Sequence, residues 1–201
     1  MAKIITIGRE FGSGGREVGK RLADELGIAY YDNEIITEIA KRTDLAEGYV
    51  QHVMEDSPTT LIPITIGKSF YMGIDPIVEQ NNVVYREQSR LIKEFAEKSD
   101  CVIVGRSADY ILRDKDPYRL FIYAEMPFKI ERCRKRAPEN EHFTDKEMKK
   151  HILEVDKKRA RYYQFFTGQT WGERLNYDLC INTSNAPIKE IVEAIARLVR
   201  S

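Results

Sequence analysis

The sequence predicts an α/β fold in which a parallel five-stranded sheet carries helices on both faces. Five short apolar runs, rich in β-branched residues, alternate along the 201 residues with longer amphipathic stretches. Short runs of this kind are typical of buried strands, and strands that alternate with helices form parallel sheets covered on both sides. A glycine cluster directly after the first run marks a turn from a strand into a helix.

The first half of the chain opens with a strand predicted at residues 4–7. Apolar residues at Val18, Leu22 and Leu26 then have the period of an amphipathic helix, which Gly27 ends. A second strand is expected at residues 28–31, and Asn33 is a suitable N-cap for a helix over residues 34–42. Further helices are expected over residues 45–55 and 76–98.

The second half of the chain repeats the alternation. Strands are predicted at residues 101–104, 119–124 and 178–182. Pro127 opens a basic helix, and the capping box from Thr144 to Glu147 begins another, which runs to about residue 163 and is stopped by Thr167 and Gly168. A last helix is expected over residues 187–199.

Residues 56–75 differ from the rest of the chain. Their two prolines and two glycines break any long element, yet six apolar side chains lie among them. A long loop of this kind inside a compact domain is usually a lid, a binding loop or an interface. Contact between copies of the chain in a homo-oligomer is therefore one expectation for this segment.

The composition excludes several classes of partner. Basic and acidic residues balance at 32 each, so no overall field favours nucleic acid or a membrane surface. The three cysteines are far apart and have no metal-type spacing, which predicts reduced thiols and a cytoplasmic location. Arg9 and Glu10 interrupt the first apolar run too soon for a signal peptide.

The glycine cluster at Gly8, Gly12, Gly14 and Gly15 predicts a phosphate site. A glycine loop lets backbone N–H groups approach an anion, and the following helix directs its positive dipole end there. The P-loop pattern G-x-x-x-x-G-K-[ST] fits imperfectly. With Gly14 as second glycine, Gly15 takes the lysine position and Arg16 the hydroxyl position; with Gly15 as second glycine, these positions fall on Arg16 and Glu17.

A dinucleotide site is the competing interpretation of the same loop. The pattern G-x-G-x-x-G fits Gly12 and Gly14 but places Glu17 at the third glycine. Asp32 lies about 20 residues further on, where this pattern has its ribose-binding acid. Asp32 also follows a strand at the edge where α/β sheets bind ligands, so an NAD-type dehydrogenase stays an alternative.

Basic residues gather at three further places. Arg86 and Arg90 lie one turn apart on the helix over residues 76–98, with a solvated surface as the plain alternative. Arg106 directly follows the strand at 101–104, a position suited to bidentate capture of phosphate. The basic helices between residues 127 and 163 suggest an arginine-bearing lid over a triphosphate, or else a solvated surface.

The chain resembles the cytidylate kinase family, and more closely its divergent cytidylate-kinase-like branch. The resemblance rests on ITIGREFGSGGREVGKRLADELGIAYYD, REQSRLIKEF, VIVGRSADYIL, RLFIYAEMPFKIERCRKR, DKKRARYY and YDLCINTS, and spans nearly the whole chain. It implies one P-loop kinase-type domain over residues 1–201, with a core at 1–32, 99–135 and 172–201. It further implies a helical acceptor-binding insertion at about 33–98 and a lid at about 136–171.

The resemblance implies phosphoryl transfer from ATP to CMP or dCMP with Mg²⁺, whose protein ligands it leaves unknown. The implied ATP-binding residues are Gly12, Ser13, Gly14, Gly15, Arg16, Glu17 and Lys20. The resemblance implies that Asp32 and Arg106 bind the acceptor and that Arg159 and Arg161 are lid arginines. Arg86 and Arg90 are added as candidate acceptor-binding residues, and Arg16 joins Arg159 and Arg161 as a candidate catalytic arginine. The expected partners are ATP and a small phosphorylated acceptor.

The sequence departs from the family pattern where phosphate is bound. The loop has Gly14-Gly15-Arg16 in place of Gly-Lys, Ser107 replaces the acid after Gly105-Arg106, and Glu38 replaces an arginine six residues after Asp32. Arg16 or Lys20 is expected to supply the missing loop cation. Two alternatives follow: a phosphotransferase acting on another small acceptor, and a nucleotide-binding module without catalysis.

Overall fold

The five predicted strands are present and form one parallel sheet. In a computed structural model of the chain, residues 3–55, 76–137 and 143–200 are described. Within them the sheet has the order β2-β3-β1-β4-β5, and all four neighbouring pairs are parallel. The strands are β1 (Ile4–Arg9), β2 (Ala29–Tyr31), β3 (Cys101–Val104), β4 (Tyr118–Tyr123) and β5 (Leu179–Asn182).

Eight α-helices connect the strands in the described part of the chain. Helices α1, α2 and α8 each bury an apolar stripe with the 3.6-residue period of an amphipathic helix. The helices are α1 (Gly15–Leu26), α2 (Glu34–Thr43), α3 (Glu47–Glu55), α4 (Pro76–Lys98), α5 (Ala108–Ile111), α6 (Met126–Arg136), α7 (Asp145–Thr167) and α8 (Ile188–Arg200).

The helices bury the two faces of the sheet separately. On one face α1 and α8 pack against the strands, and Leu22 and Ile195 belong to this core together with Ile5 of β1. On the other face α2, α3, α4 and α5 form a second core, to which Ile39 and Leu91 belong. Neighbouring side chains of a strand point to opposite faces, so the apolar strands supply both cores at once.

The predicted fold class is confirmed, including helices on both faces of a parallel sheet. β3 and α4 have the expected bounds. The other elements differ by one or two residues at their ends, except α7, which extends four residues beyond its expected end. α5 was not predicted, because four residues carry no measurable period. The segment at 56–75 lies outside the described residues.

The strand order bears on the dehydrogenase alternative. In the dinucleotide-binding fold β1 lies between β2 and β4. In this protein β3 separates β2 from β1, so the dehydrogenase interpretation is wrong at the level of topology. Among the described residues, no helix combines the length and the apolar character needed to cross a membrane.

Candidate functional site

The glycine loop joins the central strand to α1 at the carboxyl edge of the sheet. Gly12 and Gly14 both have left-handed φ values, 74° and 83°, which favour glycine. A Cβ on Gly14 would also lie 2.9 Å from Cδ1 of Ile188. Because α1 begins at Gly15, its first N–H groups have no acceptor within the helix. Backbone donors and the helix dipole together make this end of α1 suited to an anion.

Hydrogen bonds from neighbouring elements fix the conformation of the glycine loop. The backbone carbonyl of Ser13 accepts hydrogen bonds from Thr183 Oγ1 at 2.6 Å and from Arg132 Nη1 at 3.2 Å. The Ser13 hydroxyl donates to the carbonyl of Glu10 at 2.8 Å. Thr183 directly follows β5 and Arg132 belongs to α6. The loop is therefore preorganised by two neighbouring elements.

A buried ion network attaches α6 and α7 to the loop. Lys129 of α6 is 4% exposed, and its Nζ lies 2.7 Å from Glu10 Oε2 and 3.2 Å from Asp156 Oδ2. The other oxygen of Asp156 accepts the backbone N–H of Phe11 at 2.7 Å. Burial raises the pKa of Asp156, while the Phe11 amide and Lys129 oppose that shift. These contacts place α7 directly over the loop.

Arginines surround the buried carboxylate of Asp32, which is 5% exposed. Arg16 Nε lies 2.7 Å from Asp32 Oδ2, and Arg9 Nη2 lies 3.7 Å from Asp32 Oδ1. Arg159 Nη1 donates to the carbonyl of Arg9 at 3.4 Å. Burial, followed by the charge of Arg159, lowers the pKa of Arg9 to about 9, with Asp32 opposing. An excess of positive charge at this point favours an anionic ligand.

A cavity of about 690 Å³ opens in front of the loop. Its size falls within the range of small-molecule sites, roughly 300–1,000 Å³. The loop and α1 bound one side, α2 and α3 bound another, and α6 and α7 lie above. Five arginines line it: Arg9, Arg16, Arg132, Arg136 and Arg159. A cavity of this shape and charge is suited to a polyphosphate together with a second ligand.

A second, much smaller cavity of about 50 Å³ lies beside Arg106. Arg9 and Arg159 line both cavities. The backbone of Arg106 has a φ of 60° and that of Ser107 a φ of 51°, a conformation that is strained for residues other than glycine. Gln88 of α4 donates to the Arg106 carbonyl at 2.8 Å and holds this turn.

The structure brings most of the predicted loop residues to the main cavity. Gly12, Gly14, Gly15, Arg16 and Arg159 line it, and Asp32 is paired to Arg16. Arg106 is 8% exposed and lines the smaller cavity. Ser13 is buried beneath the loop.

Other predicted residues lie away from both cavities. Lys20 is exposed and its Nζ lies 3.1 Å from Asp24, so it does not supply a cation to the loop. Glu17 pairs with Arg21 and Arg136. Three exposed arginines line neither cavity: Arg86, Arg90 and Arg161. Arg90 pairs with Glu87 and Glu94, as the solvated-surface alternative expected.

Sequence reasoning missed Arg9, Lys129 and Asp156. Arg9 was detectable, because the rule that pointed to Arg106, an arginine at the carboxyl end of a buried strand, applies to it equally. Asp156 had a signal in its position three residues before Arg159, which places both on one face of a helix. Lys129 had none, since it lies in a helix rich in exposed charges and only packing selects it.

The described residues do not include a ready-made cluster of metal ligands for Mg²⁺. Protein-bound Mg²⁺ is usually held by one or two carboxylates with waters and substrate phosphates. Among the described residues, no group of three or more His, Cys, Asp or Glu side chains is arranged for a metal ion. Arg16 stands at the hydroxyl position of the loop, and the carboxylate of Asp32 is engaged by Arg9 and Arg16.

Comparisons with solved structures show where this architecture recurs. An uncharacterized protein from Eubacterium ventriosum ATCC 27560 is 28% identical over 99% of both chains, with a TM-score of 0.72. A shikimate kinase from Bacteroides thetaiotaomicron is 15% identical over 100% of both chains, with a TM-score of 0.59. A gluconokinase from Sinorhizobium meliloti 1021 is 16% identical over 99% of this chain and 94% of that one, with a TM-score of 0.51. The two kinases share the fold.

The family follows from sequence. No curated protein matches the chain significantly. The model of the cytidylate kinase-like family, in contrast, matches residues 4–185. This range includes the glycine loop, Asp32, Arg106 and α7, so the match covers every part of the cleft described above. The chain therefore belongs to the cytidylate kinase-like family and has the P-loop kinase fold of the kinases to which it is similar.

Proposed function

We propose that the protein transfers a phosphoryl group from ATP to a small phosphorylated acceptor, and that CMP and dCMP are its acceptors. One observation carries the proposal: the N-terminus of α1 and five arginines face a single cavity of about 690 Å³. Positive side chains gathered around one cavity favour a ligand with several negative charges. Membership of the cytidylate kinase-like family supports the choice of acceptor.

The proposed mechanism requires positioning and charge rather than covalent chemistry. In phosphoryl transfer, negative charge spreads over the oxygens of the moving group, and donors aimed at those oxygens lower the barrier. The backbone N–H groups at Gly15 and Arg16 are expected to take the donor phosphates. Arg159 is expected to reach the moving group, because it lines both cavities.

The acceptor is expected on the side of α2 and α3. Asn33 and Thr37 line the cavity there and offer hydrogen-bonding groups. Asp32 has one buried carboxylate oxygen without a hydrogen bond among the described residues, although Arg9 lies 3.7 Å away. A hydroxyl or amino group of an acceptor would satisfy that oxygen. Arg106 is the proposed contact for an acceptor phosphate.

Two alternatives to this function are each supported by a particular observation. The loop lacks its lysine, which would suit a nucleotide-binding module without catalysis. The likeness to a shikimate kinase and a gluconokinase makes other small acceptors worth testing. Both alternatives place ATP in the same cleft, so they differ from the proposal only in what happens after ATP binds.

An acceptor panel tests the proposal. ADP formation is measured with ATP, Mg²⁺ and each of CMP, dCMP, AMP, shikimate and gluconate, and thermal unfolding is followed with each ligand alone. ATP at 100 times its Kd adds about 2.7 kcal/mol to the free energy of unfolding. We expect stabilisation by ATP and ADP formation with CMP or dCMP. ADP formation only with shikimate or gluconate would favour the other acceptors, and stabilisation without ADP formation would favour the binding module.

Two matched carboxylate variants test where the acceptor binds. Asp32→Asn removes the charge of a buried residue in the cleft, whereas Asp24→Asn does the same to an exposed residue paired with Lys20. Asp32→Asn is expected to raise the KM for the acceptor strongly, and Asp24→Asn to leave it unchanged. Equal effects of the two variants would contradict the proposed placement of the acceptor.

A further inference from the structure

The loop lacks lysine at the position where the P-loop pattern has one. With Gly14 as the second glycine of the pattern, that position is Gly15, and α1 begins at this residue. The structure favours this register, because Gly14 has the left-handed backbone that precedes the helix. The loop therefore needs another cation if it is to bind the terminal phosphates of a nucleotide.

The space in front of Gly15 is filled by Arg9. A Cβ on Gly15 would lie 2.5 Å from Cβ of Arg9 and 3.0 Å from its Cγ. Gly15 has no left-handed backbone that would require glycine. The side chain of Arg9, rather than backbone strain, therefore keeps a larger residue out of position 15.

A second glycine accommodates the other end of the same side chain. A Cβ on Gly105, after β3, would lie 2.7 Å from the Cζ of Arg9. Gly15 and Gly105 thus form the two walls of a slot for one arginine. The slot leads from the loop to the turn that carries Arg106, so the guanidinium lies where the two cavities meet.

The backbone of Arg9 belongs to the central strand of the sheet. It is the last residue of the central strand and pairs with Ile122 of β4. Its side chain is 12% exposed. Charged groups on rigid elements hold ligand geometry better than groups on loops.

The alternative to a ligand-binding role is that Arg9 serves only as the counter-ion of Asp32. The distances do not favour this alternative. Arg16 already pairs with Asp32 at 2.7 Å, whereas Arg9 is 3.7 Å away. Asp32 therefore does not need Arg9 to neutralise it. The side chain of Arg9 lies instead against two arginine-rich cavities, where like charges lower its pKa after burial.

We propose that Arg9 replaces the missing loop lysine and binds the terminal phosphates of a nucleoside triphosphate from the floor of the cleft. The proposal rests on the proposed function only in that a nucleoside triphosphate enters this cleft. A guanidinium offers a planar pair of donors to phosphate oxygens, unlike the single point charge of lysine. Arg9 would accordingly be a substrate-binding residue of the central strand rather than of the loop.

A residue swap tests the proposal. Arg9→Ala, Gly15→Lys and the double variant are compared with the wild type by calorimetric titration with ATP, with inorganic tripolyphosphate and with AMP. Arg9→Ala is expected to weaken binding of ATP and tripolyphosphate at least about 30-fold, the effect of losing a buried charged partner. Binding of AMP, which lacks the terminal phosphates, is expected to change little.

The other two variants test whether a cation at position 15 can take the place of the one at position 9. Gly15→Lys alone is expected to bind ATP poorly, because its side chain meets Arg9. The double variant Arg9→Ala/Gly15→Lys frees that space and is expected to recover at least about tenfold of the lost ATP affinity. A residue that acts only on the fold would not produce this recovery.

Matched controls separate charge from folding. Arg197→Ala removes an exposed arginine in the last turn of α8 and is expected to bind all three ligands like the wild type. Arg9→Met keeps an unbranched apolar stem without the charge and replaces Arg9→Ala if that variant unfolds. Thermal unfolding without ligand shows which variants are folded.

Three results would overturn the proposal. An unchanged ratio of ATP to AMP affinity in Arg9→Ala or Arg9→Met would show that Arg9 does not contact terminal phosphates. A double variant no better than Arg9→Ala would show that the two positions are not equivalent. Failure of the wild type to bind ATP would overturn the proposed function itself, which distinguishes the two proposals.

Discussion

Buried charge is the residue-scale feature that separates this cleft from the rest of the surface. Lys129 is enclosed between two carboxylates, and Asp32 lies between two arginines. Taking such groups from water is costly, and removing one partner leaves a buried charge without compensation. Exposed ion pairs elsewhere on the helices lack this consequence, because water solvates whichever partner remains.

Lys129 and Lys135 allow this contrast to be measured within α6. Lys129→Met leaves Glu10 and Asp156 without their shared cation and is expected to lower the free energy of unfolding by roughly 3 kcal/mol. Lys135→Met removes a lysine of the same helix whose partner Glu131 is exposed, and a far smaller loss is expected. Urea unfolding of both variants measures the difference. Similar losses would show that the buried network does not hold α6 and α7 to the loop.

The element that decides access to the cleft is α7. It begins at the Thr144–Glu147 capping box, as predicted, and ends at Gly168, whose φ is 70°. Arg159 and Arg161 are two residues apart, which places them on nearly opposite faces of a helix. Arg159 therefore reaches the cavities while Arg161 is exposed. One helix presents one face to the cavities and another to solvent, and the sequence alone does not tell the two faces apart.

The two arginines predict different kinetics. Arg159→Ala is expected to lower kcat at least about 100-fold, because charge that meets developing negative charge acts mainly on turnover. Arg161→Ala is expected to stay close to the wild type. Steady-state kinetics with ATP and the acceptor found in the panel measure both variants. Comparable losses in the two variants would mean that α7 rotates or shifts when the substrates bind.

At the scale of the whole molecule, the described residues form two cores that share one sheet. Because the strands supply side chains to both cores, loss of one face is expected to destabilise the other. If the two cores are coupled in this way, residues 1–201 unfold as the single domain that the sequence predicts. The division into a core and two insertions, at about 33–98 and 136–171, stays a prediction.

Cooperative unfolding tests the single domain. Ile39→Ala in one core and Ile195→Ala in the other are each expected to cost about 2–5 kcal/mol. Circular dichroism and the fluorescence of the single tryptophan, Trp171, are expected to report the same transition in both variants. Leu198→Ala, at a side chain that is 54% exposed, serves as the control. Two separate transitions would show that the faces of the sheet fold independently.

Self-association through residues 56–75 also belongs to this scale and stays a prediction. Light scattering of the full chain is expected to give the mass of a dimer or larger oligomer. Replacing Ile62, Ile64 and Ile66 by serine is expected to yield monomer, since burial of apolar surface drives such contacts. A monomeric wild type would contradict this prediction.

The features that were predicted correctly from the sequence are those that depend on neighbouring residues. The run at β1, the glycine loop, the capping box of α7 and the stop at Gly168 all depend on chemistry within a few positions. β1 extends two residues beyond its expected end, because Gly8 and Arg9 pair with residues of β4 that are far away in the chain. Lys20 was expected at the loop from its proximity in sequence, but the turn of α1 directs it to Asp24 and solvent.

The sequence by itself determined the alternation of strands and helices, the glycine loop and the preference of that loop for an anion, because each is a local property of the backbone. The family also followed from it, since the matching residues extend from 4 to 185. Tertiary structure alone decided which of many arginines face the cleft. The slot for Arg9 is formed by Gly15 and Gly105, and only the parallel pairing of β1 with β3 brings these distant positions together. Packing of this kind depends on distances between elements, which no periodicity within one element encodes.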